Sequence, residues 1–283
     1  MKVEDLVGQS VVLATMHGKE QAFGPVLADR LGIEIVVPKG LDSDTLGTFT
    51  GEVPRAGSIE EVAIAKARLG SSITGFRLSL ASEGAYGPHP TVPFVGAGLE
   101  LVVLLDAQSG RFVREHLLDE RPIYDHIEFG PATDLDAFLA RIGFPDHAVI
   151  ARRSDDLDSV IKGIRDRDQL EEVLARLSRD ANGAPLFLQT DMRAHLNPRR
   201  METLGRLAEK LADRLASTCP ACEAAGFGMT KTRKGLSCEW CNLATTMVAA
   251  EIWICTACDY AEDRPRRDGL IYADPGQCQR CNP

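Results

Sequence analysis

All eight cysteines of the 283-residue chain fall between Cys219 and Cys281, in four Cys-x-x-Cys pairs: Cys219/Cys222, Cys238/Cys241, Cys255/Cys258 and Cys278/Cys281. Two thiolates three residues apart grip one tetrahedral ion from a tight knuckle turn. In a chain whose first twenty residues show no secretory apolar segment, that spacing favours metal over disulfides. Four pairs make two Zn(Cys)4 sites. Sequential pairing is expected, Cys219/Cys222 with Cys238/Cys241 and Cys255/Cys258 with Cys278/Cys281, across intervening stretches of 15 and 19 residues. A cross-braced arrangement, first pair with third and second with fourth, uses the same residues, and redox or iron–sulfur use is the lesser alternative. Four thiolates leave substrate no place on the metal, so the zincs are expected to be structural. Each would supply on the order of 10 kcal/mol of folding energy to a small segment.

Four loops hold the other residues with chemical potential. Thr15-Met16-His17-Gly18-Lys19-Glu20 joins a strand to a helix, where Thr15, Gly18 and Lys19 could hold a phosphate through free N–H groups and an ammonium. The stretch Asp44–Arg55 runs into a helix carrying Glu61 and Lys66. Those two lie about 140° apart around the helix, so they serve one pocket only at its flank. Ala81-Ser82-Glu83-Gly84, continuing to His89, is expected to end an apolar strand in glycine-rich backbone, a place for a carboxylate to hold Mg²⁺ near a phosphate. Thr190–Arg200 gathers Asp191, Arg193, His195, Asn197, Arg199 and Arg200 at a helix start, suited to an anion or a base. The bland alternatives are ordinary strand-to-helix turns, a helix cap for Glu61 and a solvated face for Lys66. His116 and His126 are read as structural.

The elements that must position these loops alternate in type. Strands are expected at 10–15, 32–37, 76–81, 99–105, 111–117, 147–152 and 185–190, and helices at 20–31, 58–69, 133–142, 166–177 and 199–216. Ser58-x-x-Glu61 and Thr133-x-x-Asp136 read as capping boxes, and Asn197-Pro198 as an N-cap followed by proline at the first helical position. The last helix spaces Met201, Leu204, Ala208, Leu211 and Leu215 by three and four, a core stripe. The expected fold is α/β, a central mixed sheet flanked by helices over residues 1–216, followed by a Cys-rich double zinc ribbon over residues 217–283.

Charge narrows the function classes. The chain carries 32 Lys+Arg against 41 Asp+Glu, a net charge of −9. Residues 217–283 hold 7 basic against 8 acidic side chains before any thiolate is counted. Coating of nucleic acid is disfavoured, because that affinity is mostly phosphate neutralisation, although the clusters Lys231/Arg233/Lys234 and Arg264/Arg266/Arg267 keep a nucleic-acid grip open. Without a run of 18 apolar residues, no membrane span is expected, and the protein is read as cytoplasmic.

The segments LGTFTGEVPR (46–55), ASEGAYGPHP (81–90), TDMRAHLNPRR (190–200) and ADPGQCQRCNP (273–283) resemble a bacterial family catalogued as domain of unknown function 6671. The order of motifs is also similar to the inosine/xanthosine triphosphate pyrophosphatase superfamily. Thr15, Gly18 and Lys19 match its Thr-x-x-x-Gly-Lys loop, and Glu61, Ala63, Lys66 and Ala67 match its helix motif, with Phe49 upstream of its usual position. Glu83 is the one acid kept from its Ala-Asp-Asp-Ser-Gly motif, and Arg193, His195 and Arg200 stand where its members read the base. This second resemblance implies an elongated mixed sheet with a cleft and a metal-dependent hydrolysis of a nucleoside triphosphate or related nucleotide. Mg²⁺ or Mn²⁺ would sit at Glu83 and Glu61, with Lys19 and Lys66 taking up charge. The competing class is a non-catalytic nucleotide or anion binder whose zinc ribbons dock a protein or nucleic-acid partner.

Overall fold

The structure is a computed structural model and describes the chain except residues 42–44, 46, 48–52, 155, 181–182 and 184. Phe49 and most of the stretch 44–55 therefore lie outside the described residues. Two compact units are present, one of residues Gly8–Ala212 and one formed by Met1–Val7 together with Asp213–Pro283. The expected boundary at 216 falls close to this division, but the first seven residues join the Cys-rich unit: Lys2 bridges to Ala224, and Ala225 N donates to Met1 O at 3.0 Å.

The larger unit begins with β1 (Ser10–Leu13), α1 (Glu20–Leu31), β2 (Glu34–Val36), α2 (Ile59–Thr74), β3 (Leu78–Pro88), β4 (Gly96–Asp106) and β5 (Phe112–Asp119). Val11, Val12 and Leu13 are wholly buried, as a continuous apolar run in a covered parallel strand should be. The strands form one mixed sheet in the order β2-β1-β3-β4-β5, with β2, β1 and β3 parallel and the rest antiparallel. From β1 the chain moves outward to β2 and then returns across β1 to β3. Right-handed crossovers place α1 and α2 on opposite faces, which makes the carboxyl end of β1 the point where the strand order reverses.

The same unit continues with β6 (His126–Phe129), α3 (Leu135–Ile142), β7 (Val149–Arg153), β8 (Ile161–Ile164), α4 (Arg167–Asp180), β9 (Leu186–Thr190) and α5 (Pro198–Ala216), the last of which runs on past the division at Ala212. Here the single central sheet expected from the sequence is corrected: β6-β9-β7-β8 make a second, antiparallel sheet. Its own core joins Phe138, Leu139, Ile142, Leu170, Leu174 and Leu177 to Val149, Ile164 and Leu188. Strands β6 and β8 have four residues each, too few for a visible alternation. The cap of α3 is Asp134, which accepts from Ala137 N at 2.9 Å, and not Thr133, whose Oγ1 accepts from Gly130 N. Ser58 and Glu61 do form the expected capping box on α2, and Asn197 Oδ1 accepts from Arg200 N at 3.0 Å.

Strand β3 runs well past the expected end at Ala81, so Ser82, Glu83 and Gly84 lie inside a strand paired with β4. The glycines serve packing across the sheet. A Cβ on Gly84 would stand 2.6 Å from Glu100 Oε1 and 2.8 Å from Arg200 Nη2, and one on Gly98 would stand 2.4 Å from the Tyr86 ring. Gly84→Ala is therefore expected to destabilise the unit by about 1–3 kcal/mol through overpacking. Denaturant unfolding beside Gly87→Ala checks this, because nothing lies within 4 Å of that Cβ position.

The smaller unit contains β10 (Gly228–Lys234), β11 (Val248–Ile254) and β12 (Ala261–Arg264) in an antiparallel sheet. Among the described residues, no helix is long and apolar enough to cross a membrane.

Candidate functional site

The cysteines form two groups whose ligand atoms lie within 4.8 Å of one another, Cys219/Cys222/Cys255/Cys258 and Cys238/Cys241/Cys278/Cys281. The pairing is cross-braced, which corrects the sequential expectation. Topology explains it. Antiparallel pairing sets Gly228, at the start of β10, against Ile254, at the end of β11. The knuckle before β10 therefore meets the knuckle after β11, and the knuckle that follows β10 is left at the opposite end for the last pair. Phe227, Trp253 and Tyr260 pack around the first group.

The sulfur geometry tests what the groups can hold. A tetrahedral ion with metal–sulfur bonds of about 2.3 Å has sulfur–sulfur edges of about 3.8 Å. Observed edges are 3.8 Å for Cys219–Cys258, 3.6 Å for Cys222–Cys255, 3.9 Å for Cys238–Cys281 and 3.6 Å for Cys241–Cys278. These fit one metal ion per group and are far beyond a disulfide bond. Glu223 and Asn242 take positive φ immediately after Cys222 and Cys241, turning each knuckle so that their N–H groups reach Cys219 O and Cys238 O at 2.9 Å. Burial pushes the Cys219 thiol up, but the N–H groups of Ala221 and Cys222, together with the Cys255 and Cys258 thiols, outweigh it and bring the thiol down to about 7.

At the carboxyl end of β1, the α/β unit concentrates buried charge. β1 pairs with β3 only as far as Leu80, so the next part of the β3 edge extends beyond it. Two cations occupy that edge: Lys19 Nζ donates to Ser82 O at 2.7 Å, and Arg55 Nη2 donates to Gly84 O at 2.8 Å. Strand alternation sends Glu83 to the face covered by α2. There Lys66, 7% exposed, forms an ion pair with it, and Arg55 lies 3.7 Å away. Among the described residues, Glu83 Oε1 nonetheless makes no aligned hydrogen bond, and the buried Ser82 Oγ has no hydrogen-bond partner.

The opposite face carries Ser82, Gly84, Tyr86 and, from β4, Glu100. Glu100 is fully buried and accepts from Arg200 Nε of α5 at 2.6 Å and from the Tyr86 hydroxyl. Arg200 also donates to Met192 O, in the loop after β9, so one guanidinium ties the two sheets together. Burial alone would raise the Glu100 carboxyl; the Arg200 charge reverses this and holds it below the usual range. Tyr86 is pushed up, first by burial and then by Glu100. Burial, followed by the Arg200 charge, lowers Lys19 to about 8.

The remaining sequence candidates divide. Thr15 is buried and its Oγ1 accepts from His17 N at 3.2 Å; Gly18 lets the loop approach His195, whose Cβ would lie 3.2 Å from an added methyl. His195 N donates to His17 O at 3.1 Å, and the two rings stack at 5.6 Å. Arg193 is engaged by wholly buried Asp191, at 2.6 Å. Two candidates stand apart from the cluster. Glu61 is exposed, with its carboxylate held by Ser58 N and Oγ at 2.8 Å, which lowers its pKa. His89 Nδ1 accepts from Thr91 N and Val92 N and closes the β3–β4 turn. Sequence reasoning passed over Glu100, Tyr86 and Arg55. Glu100, a lone acid inside the apolar run Leu99–Leu105, was the available signal for a buried partner.

No curated protein matches the chain. A family model described as Domain of unknown function (DUF6671) matches residues 66–283, which takes in Lys66, Glu83, Glu100, Arg193, His195, Arg200 and all eight cysteines, while Thr15, Gly18, Lys19 and Glu61 precede it. On that match over most of its length, the chain belongs to the family Domain of unknown function (DUF6671).

Proposed function

We infer that the α/β unit binds a small anionic ligand, of the phosphate type, at the carboxyl end of β1, and that the Cys-rich unit is held together by two structural zinc ions. One observation carries the first part: Lys19, Lys66 and Arg200 are all buried, and the acids that act on Lys19 are the buried Glu83 and Glu100, each with its own cation, with Arg55 at the rim. Buried charge is costly unless paired, and each acid already has a cation against it. The surplus sits at Lys19. A bound anion would compensate it, at the position where open α/β sheets take ligands. For the second part, four sulfurs at tetrahedral spacing suit zinc.

The pyrophosphohydrolase reading, with its nucleoside triphosphate pyrophosphatase-like fold, shares the phosphate contacts at Thr15, Gly18 and Lys19 but also needs Mg²⁺ or Mn²⁺ at Glu83 and Glu61. Glu61 is committed to its helix cap, and Glu83 faces Lys66 and Arg55, so the geometry favours binding over metal-assisted hydrolysis. Pyrophosphate release from a panel of nucleoside triphosphates, with Mg²⁺ or Mn²⁺ and a Glu83→Gln control, separates the two. Turnover lost in Glu83→Gln would favour the hydrolase; ligand-induced thermal stabilisation without turnover is the result expected here.

The pH dependence has a definite sign. Lys19 titrates at about 8 without ligand, and an anion favours its protonated form. Affinity for sulfate, whose charge is constant over this range, should be full below that pH. Above it, affinity should fall by about tenfold per pH unit through linkage. Calorimetric titrations from neutral to alkaline pH check it, and a flat profile would remove Lys19 from the site.

A further inference from the structure

Lys19 differs from the other buried cations in how little its nitrogen is bonded. Lys66 lies against Glu83, and Arg200 is shared by Glu100 and the Met192 carbonyl. Among the described residues, Lys19 Nζ has one hydrogen-bond partner, the Ser82 carbonyl at 2.7 Å. An ammonium brings three donors, so two would be left without acceptors in a buried place. A neutral amine needs fewer acceptors and keeps a lone pair. The charged groups acting on it are Arg200 from α5 and Lys66 from α2, both disfavouring a further positive charge, and Glu83 from β3 and Glu100 from β4, which favour one. Desolvation outweighs the acids and brings the amine to about 8. A desolvated lysine amine beside other cations is the arrangement that makes lysine a nucleophile toward carbonyl carbon near neutral pH.

We propose that Lys19 condenses with the aldehyde or ketone of an anionic ligand to form an imine, so that the ligand class is a phosphorylated or carboxylated carbonyl compound. This rests on the anion site inferred above. The neutral Nζ adds its lone pair to the carbonyl carbon, and the C=O π pair goes to oxygen, which is protonated. The carbinolamine then loses hydroxide with one proton as water, and the nitrogen, having shed both hydrogens, holds the C=N bond. One water leaves for each imine formed, with no oxidant or reductant. Arg55, at the rim beside Glu83, and Ser82 Oγ, which has no hydrogen-bond partner among the described residues, are polar groups open to the ligand's anion.

The test uses the full-length, zinc-replete chain and pyridoxal 5′-phosphate, which joins an aldehyde to a phosphate, followed by borohydride reduction and peptide mass mapping. At pH 8, lowering a lysine from its usual pKa to about 8 raises its neutral fraction by about 100-fold. One pyridoxyl group on Lys19, at least tenfold above exposed Lys39 or Lys231 and suppressed by inorganic phosphate, is expected. Lys19→Arg should lose the label, whereas Lys39→Arg, at an exposed lysine outside the site, should keep both the Lys19 label and sulfate binding measured by calorimetry. If the label spreads over the exposed lysines and is unchanged in Lys19→Arg while wild type still binds sulfate, the imine is overturned and the anion site stands. If wild type binds no sulfate either, both fall.

Discussion

A chain carrying Cys219→Ser with Cys255→Ser is expected to keep one zinc of the two inferred for the wild type, whereas Cys219→Ser with Cys238→Ser is expected to keep none. The first pair of substitutions removes two ligands from one group and leaves the other complete; the second damages both. Sequential pairing reverses these outcomes, so metal content per chain by atomic emission distinguishes the two. The energetic consequence is the largest expected for any change in this protein, since a structural zinc contributes on the order of 10 kcal/mol to a segment that cannot form its own core. Both tryptophans, Trp240 and Trp253, lie in this unit, so tryptophan fluorescence reports its unfolding on chelation without interference from the α/β unit.

Replacing Arg200 with Met lowers the stability of the α/β unit by about 3–5 kcal/mol, the usual cost of leaving one member of a buried ion pair uncompensated. The change strands Glu100, which is 0% exposed, and removes the donor to Met192 O that links the two sheets. Glu100→Gln should cost less, because a neutral amide remains able to accept from Arg200 and Tyr86. The double variant should recover part of the loss, and a double-mutant cycle by denaturant unfolding measures the coupling. The pH dependence follows from the depressed Glu100 carboxyl. Its stabilisation is present above its unfolded value and is lost as pH falls through the lower folded value. Arg200→Met should weaken this acid limb, because the charge that holds the carboxyl down has gone. A variant of unchanged stability would mean that the pair does not bind the sheets together.

Much of this was legible in local sequence. The continuous apolar run Val11–Ala14 and the 3.6-residue stripe of α5 report burial, and the Ser58 cap reports a helix start, each through a pattern that a single element imposes. The ligand types at all eight cysteines were equally plain, because knuckle spacing is local. Their pairing was not, since it depends on which ends of β10 and β11 meet, and β10 reads Gly-Met-Thr-Lys-Thr-Arg-Lys, a polar sequence with little apolar alternation. The second sheet escaped for a similar reason: its outer strands are only four residues long. Gly84, read as glycine-rich backbone at a strand end, was misleading in a different way, and Gly98 shares its role. Glycine marks either a turn or a close approach of another group, and here it makes room for Glu100, Arg200 and the Tyr86 ring.

The site followed the same division. Lys19, Lys66, Glu83 and Arg200 could be selected because charged residues beside glycine and apolar runs are unusual. Which carboxylate faces which cation could not be known before the register was fixed, because adjacent residues on β3 face opposite sides of the sheet. That alternation separates Glu83, against Lys66, from Glu100, against Arg200, and leaves Lys19 at the strand edge between them.

The most direct measurement is calorimetric titration of the zinc-replete chain at pH 7 with inorganic pyrophosphate, in the absence of Mg²⁺, for wild type and Lys19→Met in parallel. Saturable one-site binding in wild type, weakened by about tenfold or more in the variant, as loss of a charge-assisted contact of about 1.5–3 kcal/mol requires, is the predicted result. Equal affinity in the two proteins, or binding only when Mg²⁺ is supplied, would contradict an anion site anchored by Lys19.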